Sequence, residues 1–360
     1  MRDSNLELLR IILMIFIVLH HFIVAGLNNI GYNEPFILNS TNVISVVIES
    51  FIVMAVNAFV LISGYFGIKL KSKGVCKLWI QCAFYAIVIY LIVYCGVRGE
   101  KIWIPSIAKN VFVFFSGQYW FATHYFLLLL LAPLLNKIID NCSQMELLSV
   151  LVLLSLINVV YGFFAGWNVG FNANGYSVIN FIWLYFIGRY LNLVNLVKSN
   201  IQFRYKVVLG YIISSILIAL SAIGMYVITD NVDAYKVFAY SNPLVILSSI
   251  FFFLIFASFK MQNKWINWFA SSAFAVYLIH SNTYIQPYRN YFIHTLFGPN
   301  VPIFVMVLCL MLIAISTYIV CVLIDKIRII FTCKLENQLI NKLNWLISRS
   351  LRLINEKLLQ

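Results

Sequence analysis

Residues Leu8–Gly26 read LLRIILMIFIVLHHFIVAG. A helix crossing the roughly 30 Å hydrocarbon core of a bilayer needs about 20 apolar residues, and this stretch supplies them. No small-residue cleavage site follows, so the segment is expected to be a retained first helix and not a signal peptide. Similar stretches recur near 43–66, 78–97, 119–136, 146–164, 178–195, 207–228, 243–259, 265–285 and 301–324. Residues 106–117 read as a re-entrant or interfacial piece, and Ser271, Ser272 and His280 interrupt the ninth segment.

Composition supports the same reading. Of 360 residues, 62% are hydrophobic and only 10% are charged, with a mean hydropathy of +0.92. Soluble domains carry about 25% charged residues, so lipid must be the solvent for most of this chain. The expected fold is an all-α polytopic membrane protein with about ten transmembrane helices. A net charge of +13 would suggest nucleic acid for a soluble protein. Here it suggests Lys and Arg gathered beside anionic lipid, and no nucleic-acid partner is expected. The seven cysteines form no CxxC and no metal spacing, so neither a disulfide framework nor a metal site is expected.

The loops orient the chain. With the N-terminus inside, the inner segments hold Arg2, Arg10, Lys69, Lys71, Lys73, Lys77, Lys137, Lys198, Arg204, Lys206, Lys260 and Lys264. The tail adds Lys326, Arg328, Lys334, Lys342, Arg349, Arg352 and Lys357, for nineteen in all. The outer loops hold five: Arg98, Lys101, Lys109, Lys236 and Arg289. By the positive-inside rule both termini are expected in the cytoplasm. The outer loop 165–177, AGWNVGFNANGYS, is uncharged. It reads as an aromatic belt at the interface or as a surface for sugars.

The division expected is a membrane domain over 1–325 and a basic tail over 326–360. In the tail, Leu335, Leu339, Leu343, Leu346, Ile347, Ile354 and Leu358 recur at helical spacing among cations. This pattern suits an amphipathic helix on the inner membrane surface. There is no internal repeat.

Ionisable groups within spans mark functional sites by default. The first span carries Glu7, Arg10, His20 and His21. At about 100° per residue, Arg10 and His21 return to within about 20° of one face, roughly 16 Å apart in height. Glu7 falls about 60° from Arg10, whereas His20 points about 100° away from His21. The stripe of Glu7, Arg10 and His21 is therefore the expected functional set, and His20, off its face, is expected to be more dispensable. Asn57 comes out near the height of His21, as substrate contact or as packing glue. His124 and His280 come out in the outer half, and with His21 would sketch a polar route between the two faces. Lys69, Lys71, Lys73 and Lys77 form a basic loop, read as lipid-binding or as a donor-docking surface.

These residues resemble a known family. Asn5-Leu-Glu7-Leu-Leu-Arg10 followed by His21 resembles the Arg-x10-His signature of the acyltransferase-3 family, particularly its members that modify bacterial surface polysaccharides. Asn57–Phe66, Tyr119-Trp120-Phe121, Tyr125, Pro133–Asn136, Tyr185–Tyr190 and Ala275–His280 resemble further family segments in order. The resemblance implies a membrane enzyme moving an acyl group, usually acetyl from acetyl-CoA, onto a sugar hydroxyl at the far face. On this reading His21, Arg10 and Glu7 are catalytic, and Asn57, Tyr119, Trp120, His124 and His280 bind the acceptor. The four lysines stand where family members often carry arginines, and they lack the bidentate fork. Some members continue into an extracellular hydrolase-like domain. None follows in these residues, so transfer is expected to finish within the membrane domain or with a partner.

No bound cofactor is expected. The expected partners are acyl-CoA, a surface polysaccharide or lipid-linked oligosaccharide, and the bilayer. A lipid-linked oligosaccharide flippase is the alternative, although the sequence displays neither the broken helices nor the symmetric halves of many transporters. A polysaccharide polymerase fits less well, because the outer loops are short. The nineteen-to-five asymmetry predicts that a cysteine placed at either terminus is labelled only after the membrane is opened, whereas one at Gly170 or Asp233 is labelled in intact cells. Labelling of a C-terminal cysteine in intact cells would change the span count by an odd number.

Overall fold

The computed structural model describes residues 3–30, 36–165, 172–197, 199–229, 236–297 and 301–358, with side chains as far as Ser350. Gly170, Asp233 and much of the uncharged outer loop lie outside the described residues. The chain is an all-helical multi-pass membrane protein, with no strand among the described residues. All ten expected segments are helical. Among the described residues, eight helical stretches are long and apolar enough to cross a membrane, including Ser4–Leu27, Ser40–Phe66 and Ile303–Ser350.

The other two expected spans are shorter. The sixth is α8, Val178–Leu193, of 16 residues, and the ninth is broken into α11, Lys264–Ala270, and α12, Ala273–His280. The ninth nonetheless runs the height of a neighbour. The first helix, α1, covers Ser4–His21. Ser4 at its start bonds the Asn267 side chain of α11 at 2.9 Å, and His21 at its end meets His280 at the end of α12. The α11–α12 pair thus runs alongside α1 in the same direction. The second span is likewise broken, into α2, Ser40–Ile52, and α3, Ala55–Phe66. Backbone groups freed by a break in lipid need partners inside the protein. The Phe51 carbonyl accepts the Tyr211 hydroxyl at 2.8 Å, whereas the Met54 carbonyl already accepts the Ala58 amide at 3.1 Å and takes Ser249 Oγ as a second donor at 3.2 Å.

The piece expected to be re-entrant or interfacial packs back along the third span. The third span begins as α4, Ser72–Tyr90, and α5 is Ile104–Val111. The Trp103 amide donates to the Tyr90 hydroxyl at 3.1 Å, whereas Trp79 Nε1 donates to the Val111 carbonyl at 2.7 Å. Trp79 and Tyr90 lie eleven residues apart on α4, about 16 Å in rise, so α5 runs back alongside it. A short turn then leads into α6, Trp120–Asn141, and α7 follows at Gln144–Val159.

Two family-like segments meet at a crossing of small residues. A Cβ on Gly64 of α3 would fall 2.5 Å from the Tyr185 carbonyl, and one on Gly188 of α8 would fall 2.5 Å from the Leu61 carbonyl. Lipid tails give helices little hydrophobic reason to associate, so close backbone approach carries the contact. At the same end of the bundle Tyr185 Oη donates to Asn136 at 2.6 Å, and Arg189 pairs with Asp140 at 3.3 Å.

Between this crossing and the C-terminal helix lie α9 at Ile201–Thr229, α10 at Pro243–Ala257 and α13 at Gln286–Leu296. The last helix, α14, runs Ile303–Leu358 over 56 residues, and the expected boundary at 325–326 falls inside it. Asp325 and Arg328 are buried here: Tyr85 Oη donates to Asp325 at 2.7 Å and Arg328 Nε at 2.8 Å. Arg328 also pairs with Glu336, and Ser72 bonds Asn344. The stripe Leu339, Leu343 and Leu346 faces Trp79, Ile80, Ala83 and Phe84 of α4 across a groove.

Gly188→Ala should lower the melting temperature of the purified protein, by about 1–3 kcal/mol of overpacking, and Gly188→Leu should prevent folding. Gly74→Ala, where a Cβ meets nothing within 4 Å, is the control expected to leave the transition in place. Equal transitions for Gly188→Ala and Gly74→Ala would mean the crossing is looser than described.

Candidate active site

The spacing of polar residues on α1 comes first. Glu7, Arg10, Met14, Ile17, His20 and His21 all line one cavity of about 450 Å³. The intervals between them keep the set on one broad face of the helix. The expected stripe of Glu7, Arg10 and His21 is therefore a wall of this cavity. His20 lines it too, because the cavity is wide enough at the end of α1 to take both adjacent rings. The expectation that His20 points away is corrected on this point.

The cavity has two chemically different ends. At the start of α1, Arg10 Nη1 donates to Glu7 Oε1 at 2.6 Å, and Ser271 of the α11–α12 break stands nearby on the wall. Glu7 offsets the cost of burying a guanidinium, and an arginine has five N–H donors, so others remain for a ligand. At the far end stand His20 and His21, with ring centroids 5.3 Å apart. Aromatic side chains close the walls: Phe59 from α3, Trp120, Phe121 and Tyr125 from α6, Tyr240, and Phe274 and Tyr277 from α12. Trp120 stacks on Tyr240 at 5.9 Å between centroids, and Tyr176 from the outer loop packs 4.7 Å from Trp120.

His280 stands behind His21 and not on the wall. Its Nδ1 lies 2.6 Å from the Val276 carbonyl and its Nε2 lies 3.0 Å from His21 Nδ1. A carbonyl only accepts, so His280 Nδ1 carries the proton and its Nε2 accepts. His21 must then donate from Nδ1, which leaves its Nε2 as an unprotonated lone pair. This tautomer is assigned from the hydrogen-bond network. His21 Nε2 is neither bonded nor sealed in, so it reaches the cavity. Two further partners steady His280. Ser281 Oγ lies 3.2 Å from its Nε2, and Arg289 Nη1 donates to its backbone carbonyl at 2.9 Å.

The remaining expected residues divide. Trp120 lines the cavity. Asn57 is fully buried and holds the chain together, donating to the Tyr240 carbonyl at 2.8 Å. Tyr119 is also buried, donating to the Leu278 carbonyl at 2.8 Å and accepting from Asn282 at 2.7 Å. His124 lies off the cavity wall, with Nδ1 against the Trp120 carbonyl of its own helix at 2.8 Å. Lys69 and Lys71, in the segment joining α3 to α4, and Lys73 and Lys77, at the start of α4, are exposed, and none lines the cavity. Among the described residues no group of three His, Cys, Asp or Glu could hold a metal ion.

Sequence reasoning missed Glu49. It lies within the second span, fully buried, 2.6 Å from His20 Nδ1. A carboxylate inside an apolar segment was the available signal. Tyr240, Ser281 and Arg289 were also missed. Tyr240 and Ser281 sit in turns, where neither periodicity nor apolar context singles a residue out, and Arg289, in the first turn of α13, was counted only among the outer-loop cations.

A family model described as an acyltransferase domain matches residues 3–324. No curated protein and no solved structure matches the chain. The matched span holds the whole cavity, and with it the chain belongs to the acyltransferase-3 family and is a membrane acyltransferase.

Proposed function

We propose that the acyl group is acetyl, that its donor is acetyl-CoA, and that its acceptor is a sugar hydroxyl of a cell-surface polysaccharide or its lipid-linked precursor. One observation carries the reading. A single cavity joins the Glu7–Arg10 end to the open Nε2 of His21 and an aromatic wall. The Arg10 end suits an anionic, phosphate-bearing donor, and the exposed lysines of 69–77 add positive charge to the segment following α3. Aromatic rings at the other end suit the faces of a sugar.

The chemistry follows from the tautomer. His21 Nε2 takes the proton of the acceptor hydroxyl as its oxygen attacks the thioester carbonyl. The new C–O bond forms, the carbonyl electrons collapse back, and the C–S bond breaks toward sulfur. His21 then returns the proton to the departing thiolate. His280 holds the ring in the tautomer that makes this possible and touches no reacting atom. Asn57 and Tyr119 support the acceptor end from behind the wall, through Tyr240 and Leu278 respectively.

A flippase deserves comparison, because the breaks in the second and ninth spans are of the kind transporters use. The two readings separate cleanly. Purified protein in liposomes with labelled acetyl-CoA and de-O-acetylated polymer should yield labelled polymer. His21→Ala should lower that rate by about 10²–10⁴ while the protein stays folded. A flippase would leave the polymer unlabelled, and loss of the gene would reduce export and not acetyl content. His280→Phe keeps a ring but removes the acceptor for His21 Nδ1. It should cost about 10–100-fold in kcat, as losses of supporting hydrogen bonds do around metal-bound histidines, with KM for acetyl-CoA nearly unchanged. A wild-type kcat would remove His280 from the mechanism.

A further inference from the structure

The two adjacent histidines are backed differently. His21 leans on His280, a neutral imidazole that accepts its Nδ1 proton at 3.0 Å. His20 leans on a carboxylate, Glu49 Oε1, at 2.6 Å from Nδ1. Glu49 is fully buried, and its other oxygen, Oε2, has no hydrogen-bond partner among the described residues. Among the described residues, His20 is the only group within ion-pair distance of Glu49 that can carry positive charge. Tyr226 and Tyr240 lie within electrostatic range, but neither offers a cation. A buried carboxylate without a compensating charge is costly. The pair is best satisfied with His20 protonated on both nitrogens, Nδ1 toward Glu49 and Nε2 toward the cavity. His20 Nε2 is neither bonded nor sealed in.

Resting on the acyl-transfer reading above, the geometry points to His20 as a second catalytic residue, donating from Nε2 to the thioester carbonyl oxygen, with Glu49 as its positioning residue. Neighbouring groups driven to opposite protonation states by their surroundings are the usual mark of an acid–base division. His21 presents a lone pair and His20 presents a proton into one cavity. As the acceptor oxygen attacks, negative charge builds on the carbonyl oxygen and His20 stabilises it by a charged hydrogen bond. The proton from the hydroxyl goes to His21 and then to sulfur, so His20 ends the cycle with the protons it began with. The closeness of the two rings, 5.3 Å between centroids, lets one carbonyl group reach both.

Two measurements on the full-length protein in lipid nanodiscs test this. The first is the 15N spectrum of histidine-labelled protein near pH 7. Wild type should show an imidazolium signal that His20→Gln removes and that Glu49→Gln converts to a neutral ring. A neutral His20 in wild type overturns the proposal. The second is kinetics with acetyl-CoA. His20→Phe should lower kcat by about 10²–10³, the usual cost of one oxyanion donor, with KM changed less than about threefold. His20→Gln, which keeps an N–H, should recover part of the loss. Equal rates for His20→Phe and wild type overturn the proposal, and equal losses for Phe and Gln reduce His20 to packing. Should wild type transfer no acetyl at all, the donor reading fails, while the spectrum still decides the protonation of His20. Should Glu49→Gln not fold, wild type and His20→Gln suffice for both measurements.

Discussion

A polar group inside a bilayer has no water to fall back on, so it must find its partner within the protein or not be there. Most of what is distinctive in this structure follows from that constraint. Arg10 is carried with Glu7, His20 with Glu49, His21 with His280, and Arg328 with Asp325 and Glu336. The break in the second span meets the same demand, with the Tyr211 hydroxyl placed on the Phe51 carbonyl. This break and that in the ninth span both open beside the cavity: Val56 and Phe59 line it just past the first, and Ala270, Ser271 and Ala273 line it at the second. An unbroken helix at either place would carry its side chains round the axis and narrow the space.

The site is built in layers. The residues that touch the cavity come mainly from α1, α3, α6 and α12. Behind them stands a second set that never faces it: His280, Glu49, Asn57 and Tyr119. Asn57 and Tyr119 donate to backbone carbonyls, of Tyr240 and Leu278. These carbonyls belong to segments that also carry wall residues, Tyr240 itself and Tyr277. Their effect on chemistry is one of position, which is why a residue expected to bind an acceptor can matter without meeting it.

The C-terminal helix shows how the same residue types serve a different end. Arg328 was counted among the cations of a solvated tail, yet it is buried against Asp325 and Tyr85 where α14 packs on α4. Together with the Ser72–Asn344 contact this ties the start of the third span to the far end of the chain. The segment after α3 that carries Lys69, Lys71 and Lys73 is therefore held beside α14, although none of these lysines reaches the cavity.

The sequence by itself determined the solvent, the helical class, all ten helical segments and the stripe of Glu7, Arg10 and His21. These follow from local properties: apolar length, period and the cost of charge in lipid. It also flagged 106–117 and Ser271–Ser272 as irregular, because polar residues interrupt their apolar runs. Only the tertiary structure decided which residues stand behind that stripe. Glu49 and His20 are 29 positions apart, and His21 and His280 are 259 apart, so no helical period connects them. The break at Val53–Met54 carries no Gly, Pro or polar residue to announce it, and the Tyr211 hydroxyl that takes up the Phe51 carbonyl beside it comes from 160 positions away. His20 and His21 look alike in sequence, adjacent and equally apolar in surroundings. What separates them chemically is a carboxylate behind one and an imidazole behind the other, and that difference exists only after folding.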